Sequence, residues 1–241
     1  MLGIDVLDGH VVTTLAASTR NFQARGSGSQ AGQDFEQLVF HDVLDMHPWR
    51  YATGPDQFGM GLQLTSRTGT DYEFDSVFGT DTTLFVIEAK HLTRGGLTRE
   101  HVGIFVQKLL DTVLGSYHDL AQFAIKPIMV SAQPAVDAAA YRHAIAWGVL
   151  LVSPGHPTPY ELLAGVENQQ LPARVAQRLL RDCPTLAAHL WRPFNRILAV
   201  AEDEQHVHFT LQADQIYGAD QTSSILDFWN QCALEASHTE R

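Results

Sequence analysis

The sequence predicts an α/β fold in which a mixed central sheet has helices on both faces. Three observations predict this class: the order of helical and extended segments, two consecutive all-apolar strands joined by a helix, and a composition typical of globular proteins. The chain has 241 residues, of which 45% are apolar and 18% are charged, so it can bury a full core. Its two cysteines, Cys183 and Cys232, form no CxxC pair, which fits a reducing compartment.

The chain begins with a predicted hairpin and a linker. Residues 4–14 consist of two apolar segments around an Asp-Gly dipeptide at positions 8 and 9, which suits a tight β-turn and predicts a hairpin. A Gly- and Ser-rich stretch over residues 25–32 predicts a linker. Apolar residues then recur every three or four positions from Asp34 to Met46, which predicts an amphipathic helix packed on a core.

Three extended segments and a second helix follow. Turn-forming residues separate the segments 61–66, 72–78 and 84–90, and this arrangement predicts an antiparallel meander. Residues 99–114 carry the apolar stripe of a second helix. This part of the chain therefore contributes three strands to the predicted sheet and one helix to cover it.

Two all-apolar strands complete the predicted core. They span residues 127–132 and 149–153, and the residues between Pro134 and Gly148 predict a third helix that joins them. A strand, a helix and a second strand of this kind form a βαβ unit, whose strands lie parallel. The order helix, three strands, helix, strand, helix, strand requires a mixed sheet with helices on both faces.

The chain from residue 166 onwards extends beyond this core. It predicts a helix over residues 172–190, a hairpin over 197–211 and a final amphipathic helix over 223–236. We therefore expect three parts. They are an N-terminal β-hairpin and linker (1–30), the α/β core (31–165) and a C-terminal helical and hairpin extension (166–241).

The overall charge excludes one class of function. The chain has 16 basic and 27 acidic residues, a formal net charge of −11, so its surface as a whole repels a polyanion and does not wrap nucleic acid as a histone does. The N-terminus lacks a basic region, and the longest apolar run, Ala144 to Val152, is about half of the ~20 residues that a bilayer span needs. We therefore expect a cytoplasmic protein with no membrane partner.

The strand at residues 84–90 carries the residues that suggest chemistry. Its sequence, LFVIEAK, is apolar on both faces, yet Glu88 and Lys90 lie on one face at its end. Buried charges are costly unless they pair or bind a metal. Asp75 interrupts the neighbouring strand at the level of Glu88, and two converging carboxylates favour Mg²⁺ or Mn²⁺. A lysine beside them can orient a metal-bound water, deprotonate it when the amine is neutral, or as an ammonium group stabilise charge that develops on a phosphate.

This pattern resembles a known superfamily. Asp75, followed on the next strand by Glu88-Ala89-Lys90, is similar to the motif of the PD-(D/E)XK nucleases, which have the restriction-endonuclease-like α-β-β-β-α-β core. The resemblance covers about residues 30–155 and is strongest to the type IV, Mrr-like and nuclease-related branch. In that branch a GxxFExLV-type helix precedes the motif, as Gly32 to Val39 does here. One departure is Phe74, which stands where the superfamily's proline would be.

The resemblance implies a role for each residue of the motif. Asp75 and Glu88 are expected to ligate the metal, the carbonyl of Ala89 is expected to be a further ligand, and Lys90 is expected to act on the attacking water. The alternative interpretation of Glu88 and Lys90 is an ion pair at a strand end on the surface.

Two residues on the predicted helices extend the implied site. Glu36 matches an acid that often completes the metal site through a water, and Gln107 matches a position where related families carry a supporting glutamine. The alternatives are a solvated helix face for Glu36 and an ordinary surface glutamine for Gln107.

Basic residues cluster just after the motif. Residues 90–108 contain the four cations Lys90, Arg94, Arg99 and Lys108 and one acid, a local charge of +3. Positive charge beside a metal site suits the binding of phosphates. We therefore expect Arg94, Arg99 and Lys108 to contact nucleic acid.

These observations lead to one function hypothesis and two alternatives. The first is a Mg²⁺- or Mn²⁺-dependent endonuclease that hydrolyses phosphodiester bonds of DNA, with a role in restriction, defence or repair. A second is a non-catalytic or partner-activated subunit of a defence system that binds nucleic acid or a partner protein. A third is the same chemistry on RNA, which the sequence does not separate from DNA. Many enzymes of this fold dimerise to cut two strands, so a homodimer is a further expectation.

Overall fold

A five-stranded mixed sheet organises the fold of this computed structural model. The structure describes residues 6–24, 28–55, 61–66, 69–92, 94–115, 120, 122–155, 158, 198–202 and 207–211. In chain order its elements are α1 (Val6–Asn21), α2 (Ser29–Met46), β1 (Tyr51–Thr53), β2 (Leu62–Thr65), β3 (Asp71–Phe74), β4 (Ser76–Gly79), β5 (Thr83–Lys90), α3 (Arg99–Gly115), β6 (Ala124–Ser131), α4 (Ala138–Ala146), β7 (Leu150–Val152), β8 (Leu198–Glu202) and β9 (Val207–Leu211).

The main sheet combines antiparallel and parallel pairs. β1, β4 and β5 pair antiparallel, whereas β5, β6 and β7 pair parallel. The predicted mixed α/β sheet and its parallel βαβ pair are therefore confirmed. The helices that connect the three parallel strands, α3 and α4, pack against each other and cover one face of the sheet. α1 and α2 pack against the other face.

The N-terminal segment is a helix, so the predicted hairpin is wrong. α1 contributes a stripe of fully buried apolar residues to the same core as α2 and the sheet. Their spacing places them on one helix face, and this burial outweighs the turn preference of the Asp-Gly dipeptide. The residues of the stripe are Val11, Val12, Leu15 and Ala16.

The strand predicted over residues 72–78 is broken at Asp75. β3 ends at Phe74 and pairs antiparallel with β2 in a separate two-stranded sheet, and β4 pairs antiparallel with β5 in the main sheet. The two antiparallel pairings of the predicted meander are therefore confirmed, whereas its continuous middle strand and its single sheet are wrong. The break has a physical cause, because the Asp75 side chain takes the Ala89 N–H that a continued β4 backbone would bind. An unpredicted strand, β1, pairs with β4 at the edge of the main sheet.

α4 begins later than Pro134, where the sequence predicts the third helix to open. Asp137 precedes the helix, and its Oδ1 accepts the N–H of Ala139 at 3.0 Å, as an N-terminal cap does. The predicted end is confirmed, since Gly148 has a φ of 64° just beyond the helix and Val149 donates its N–H to the carbonyl of Ala144 at 2.8 Å.

The two faces of β5 have different roles. Phe85, Ile87 and Ala89 point into the apolar core formed with α1 and α2. Successive side chains of a strand point to opposite faces, so Glu88 and Lys90 lie on the side of α3. This alternation is what delivers charged groups to the end of a buried strand.

The second unit of the chain, Asn195–Arg241, contains the hairpin predicted over residues 197–211. β8 and β9 pair antiparallel with Leu198 opposite Leu211, which confirms it. The helices predicted over residues 172–190 and 223–236, and the domain boundary predicted near residue 165, lie outside the described residues. Within the described part of the chain, no helix is both long and apolar enough to cross a membrane.

Candidate active site

A cleft of about 620 Å³ opens where β5 ends. The first turn of α2 forms part of its wall, and Gly28, with a φ of 68°, turns the chain into that helix. The charged residues that line the cleft are four acids and two lysines. They are Glu36, Glu73, Asp75, Glu88, Lys90 and Lys108.

Asp75 lies beside Glu88 at the end of the β4–β5 pairing. The register pairs Ser76 with Ile87, which puts the preceding residue, Asp75, level with Glu88 as predicted. Asp75 Oδ2 accepts the backbone N–H of Ala89 at 2.7 Å. One Asp75 oxygen is therefore fixed by the strand that carries Glu88, and Asp75 lines the cleft.

Glu88 is a buried carboxylate held by two ammonium groups. Its side chain is 5% exposed. Lys90 Nζ lies 2.7 Å from Oε1, and Lys108 Nζ lies 2.9 Å from Oε2. A buried carboxylate needs such partners, because an uncompensated charge in this position would cost several kcal/mol, roughly 3–5.

Lys90 is the more exposed of the two lysines, with 31% of its side chain accessible. Burial lowers the pKa of Lys90, but the carboxylates of Glu88 and Asp75 raise it by more, so the pKa lies above its ordinary value. Lys90 is therefore an ammonium group at neutral pH. In this state it donates hydrogen bonds and does not accept a proton from water.

Lys108 approaches Glu88 from α3 and is only 14% exposed. Its Nζ also lies 5.2 Å from the centre of the Phe74 ring, a cation–π distance. The sequence predicts Lys108 as a phosphate contact and not as a partner of Glu88. The helical spacing could have indicated this position. Phe105, Lys108 and Thr112 share one face of α3, and Phe105 and Thr112 are buried, so Lys108 between them faces the protein and not the solvent.

Two carboxyl groups of the cleft hold their protons unusually tightly. The pKa of Asp75 is raised to about 7, chiefly by burial and also by the nearby Glu88 and Glu36 carboxylates, with Lys90 opposing them. Burial likewise raises the pKa of Glu36 to about 7, with Lys90 opposing and Glu88 adding to the shift. The cleft thus concentrates negative charge that a cation would relieve.

The backbone of Ala89 faces the same side as Asp75. The carbonyl of Lys90 accepts the N–H of Ala132 beyond β6, so Lys90 directs its backbone groups towards β6. Alternate residues of a strand direct these groups to opposite neighbours, so the N–H and the carbonyl of Ala89 both point away from β6. The N–H reaches Asp75. The carbonyl therefore lies on the side expected for a metal ligand.

The oxygen atoms of the candidate site are of the chemical type that binds a hard divalent cation. They belong to the carboxylates of Asp75, Glu88 and Glu36 and to the carbonyl of Ala89, all oxygen ligands of the type that Mg²⁺ and Mn²⁺ prefer. Among the residues that the structure describes, no three His, Cys, Asp or Glu side chains already converge in the geometry of a metal site. Each Glu88 oxygen is bound by a lysine, so a cation that ligates Glu88 would compete with an ammonium group for the carboxylate.

Three predicted residues do not reach the cleft. Gln107 lies next to Lys108 on α3 but is exposed, and it is Lys108 that faces Glu88. Arg94 and Arg99 are also exposed and do not line the cleft. Of the predicted phosphate contacts, the cleft therefore contains Lys108.

His91 lines the cleft although the sequence gives it no specific role there. Its Nδ1 is buried and has no hydrogen-bond partner within the described structure. Its ring stands edge-on to Phe22 with a centroid distance of 5.6 Å. In the sequence, its position directly after Lys90 is the feature that could have indicated a place in the cleft.

No protein-family model matches the chain, and no curated protein matches it. Similar solved structures include that of a protein of unknown function, AF1548, which is 16% identical over 66% of this chain and 77% of its own, with a TM-score of 0.39. Another is the small subunit (R.BspD6I2) of the heterodimeric restriction endonuclease R.BspD6I, which is 10% identical over 75% of this chain and 94% of its own, with a TM-score of 0.38.

Proposed function

We propose that this protein is a metal-dependent nuclease that hydrolyses phosphodiester bonds of DNA. The observation that carries the proposal is the placement of Asp75 level with Glu88 at the end of β5, with Lys90 bound to Glu88 in the same cleft. Two carboxylates and an ammonium group around one open space suit a reaction in which negative charge develops on a phosphate.

Asp75, Glu88 and the carbonyl of Ala89 would hold Mg²⁺ or Mn²⁺, with Glu36 completing the shell through a water. When bound, the cation would lower the pKa of a ligated water and neutralise charge on the phosphate. Asp75 needs little reorganisation for this role, because the Ala89 N–H already fixes one of its oxygens. Glu88 is anchored by its position at the end of a buried strand.

Lys90 acts as an ammonium group in this mechanism. As an ammonium group beside Glu88, it would orient the attacking water or donate a hydrogen bond to a phosphate oxygen. It is close to the acids and partly exposed, so it reaches both the ligands and an incoming substrate. Lys108 supplies a second positive charge to the same cleft.

DNA cleavage in the presence of Mg²⁺ or Mn²⁺ tests the proposal. We expect supercoiled and linear DNA to be cut by the wild-type chain, and Asp75→Asn and Lys90→Met each to slow cleavage about a hundredfold or more. Asp45→Asn removes an exposed acid of α2 outside the cleft and is the matched control, expected to cut as the wild type does. Unchanged cleavage by Asp75→Asn or Lys90→Met would contradict the assignment.

A second candidate function is a non-catalytic or partner-activated subunit that binds nucleic acid or a partner protein of a defence system. The observation that favours it is the full occupation of Glu88 by Lys90 and Lys108, which stabilises the cleft without a metal. Calorimetric titration with Mn²⁺ separates the two candidates, since a non-catalytic subunit of this kind would fold and bind no divalent cation.

The nature of the nucleic acid is part of the proposal. The cleft offers positive charge and metal ligands, which act on phosphates in DNA and RNA alike. Cleavage of matched DNA and RNA oligonucleotides distinguishes these substrates. A homodimer that would place two such clefts on one duplex remains a prediction, tested by sedimentation of the chain with and without DNA.

A further inference from the structure

The two lysines that bind Glu88 come from different elements and differ in their surroundings. Lys90 lies on β5 itself, two residues from Glu88, and its electrostatic contacts extend to Asp75 and Glu36. Lys108 reaches Glu88 from α3, and its Nζ rests against the ring of Phe74, the residue just before Asp75. Lys108 therefore connects α3 to two parts of the site, the Phe74 ring before the strand break and the buried Glu88 carboxylate.

From this arrangement we infer that Lys108 is a positioning residue that occupies Glu88 in place of the metal, and that an arriving divalent cation must displace it towards the substrate phosphate. The inference rests on the proposed function, because it assumes that Glu88 is a metal ligand. It assigns Lys108 a task beyond a general contact with nucleic acid.

The occupied oxygen explains why displacement is necessary. Lys108 Nζ lies 2.9 Å from Glu88 Oε2. A cation bound to that carboxylate at roughly 2.1 Å would stand within roughly 3–5 Å of the ammonium group. Positive charges at that distance in a partly buried site repel, so the ammonium group and the cation compete for Glu88.

The occupied oxygen also explains why a lysine is useful there. Without a metal, Glu88 would be a nearly buried carboxylate with Lys90 as its one remaining ion-pair partner among the described residues. Lys108 lowers the cost of that state and holds the carboxylate in one orientation. Its four-carbon stem lets the ammonium group move away when the cation arrives, which a rigid partner would not permit.

The ammonium group of Lys108, once displaced from Glu88, can bind a substrate phosphate within the same cleft. Lys108 lines the space that Asp75, Glu88 and Lys90 also line. A phosphodiester placed over these acids would bring non-bridging oxygens to that wall, and a lysine binds phosphate oxygens as a mobile point charge. Metal binding would then convert a group that neutralises Glu88 into a group that binds the substrate.

Calorimetric titration of the full chain with Mn²⁺ tests the inference. We expect Lys108→Met to bind Mn²⁺ about tenfold more tightly than the wild type, or tighter still, because the competing charge is gone. The same variant should cut DNA about tenfold more slowly or worse, because the phosphate contact is gone. Lys108→Arg keeps the charge and should stay close to the wild type in Mn²⁺ affinity.

Arg142→Met is the matched control. It removes an exposed cation of α4 outside the cleft and should leave the affinity for Mn²⁺ unchanged. Lys108→Gln serves as a second variant if Lys108→Met does not fold, since it removes the charge and retains a hydrogen-bond donor for Glu88. A purely structural role for Lys108 would weaken Mn²⁺ binding, whereas displacement strengthens it.

The possible results separate this inference from the proposed function. Mn²⁺ binding by the wild type with equal or weaker binding by the uncharged variants would overturn the inference and leave the proposed function standing. Binding by neither the wild type nor the uncharged variants would overturn both. Binding by the uncharged variants that exceeds that of the wild type supports the inference, even where the wild type binds too weakly to measure.

Discussion

Asp75 accepts the backbone N–H of Ala89 at 2.7 Å, at the point where β4 and β5 stop pairing. This contact gives one aspartate two tasks. Its side chain takes the place of the backbone carbonyl that would otherwise accept the Ala89 N–H, so β3 does not continue the pairing with β5 and instead pairs with β2 in a separate sheet. The contact also holds a carboxyl group beside Glu88, so the break in the strand and the assembly of the candidate site have the same cause.

The raised pKa of Asp75 predicts a stability cost at neutral pH. Its pKa is raised from 3.8 to about 7 by burial and by the carboxylates of Glu88 and Glu36, against Lys90. Between these pH values the native state binds more protons than the unfolded state, so the free energy of unfolding falls as pH rises from about 4 to about 7. Asp75→Asn removes this loss and keeps an oxygen for the Ala89 N–H.

We therefore expect Asp75→Asn to be more stable than the wild type in metal-free buffer by roughly 1–3 kcal/mol at pH 8, with little difference at pH 4. Urea unfolding across this pH range, in the presence of a chelator, measures the difference. Asp45→Asn, at an exposed position, should show no such trend. A wild type that is the more stable protein at pH 8 would refute the electrostatic description of the cleft.

A buried ion pair at the other end of the sheet predicts a second effect. Lys126 on β6 binds Asp8 in the first turn of α1, and their side chains are 8% and 6% exposed. Lys126→Met leaves the aspartate buried with its main partner removed, so we expect a loss of about 3–5 kcal/mol. Replacing both residues, as in Asp8→Leu with Lys126→Met, should cost clearly less than the sum of the two single changes.

Urea unfolding of the two single variants and the double variant gives this coupling energy. The measurement does not depend on the proposed function, because the pair lies outside the cleft. Additive losses would show that the two residues contribute nothing to stability as a pair.

The helical N-terminus predicts a contrast between two apolar residues of α1. Leu15 is fully buried in the core, whereas Val6 is 69% exposed. Leu15→Ala leaves a cavity between α1, α2 and the sheet, so we expect a loss of about 2–5 kcal/mol in the free energy of unfolding. Val6→Ala should change it by less than about 0.5 kcal/mol. Similar losses for both variants would contradict the placement of α1.

The candidate site is largely predictable from local sequence. Alternation along β5 puts Glu88 and Lys90 on one face, and a short turn after β4 fixes the register that brings Asp75 alongside. These relations depend on neighbours in the chain, so a single sequence carries them. The same reasoning finds the parallel pair of β6 and β7, because their all-apolar composition reflects burial on both faces.

Other features depend on packing between distant elements, and here the sequence is insufficient. The contact of Lys108 with Glu88 depends on where α3 lies over the sheet, and the sequence of residues 99–115 alone does not determine that position. The N-terminal helix is missed because the Asp-Gly signal is local, whereas the burial of Val11 and Leu15 is decided by the core they join. Gln107 and Lys108 differ by one residue, or about 100° of helix rotation, which is enough to exchange their surroundings.

The rate of plasmid DNA cleavage by metal-free protein, followed as Mg²⁺ or Mn²⁺ is added back, shows whether this cleft is a metal-dependent nuclease site. We predict no cleavage in chelator, saturable recovery of cleavage with the cation for the wild type, and no comparable recovery for Glu88→Gln. The control is Glu100→Gln, an exposed acid of α3, which should recover as the wild type does. Cleavage that persists in chelator, or that Glu88→Gln recovers in full, would contradict the assignment of this cleft as a metal-dependent nuclease site.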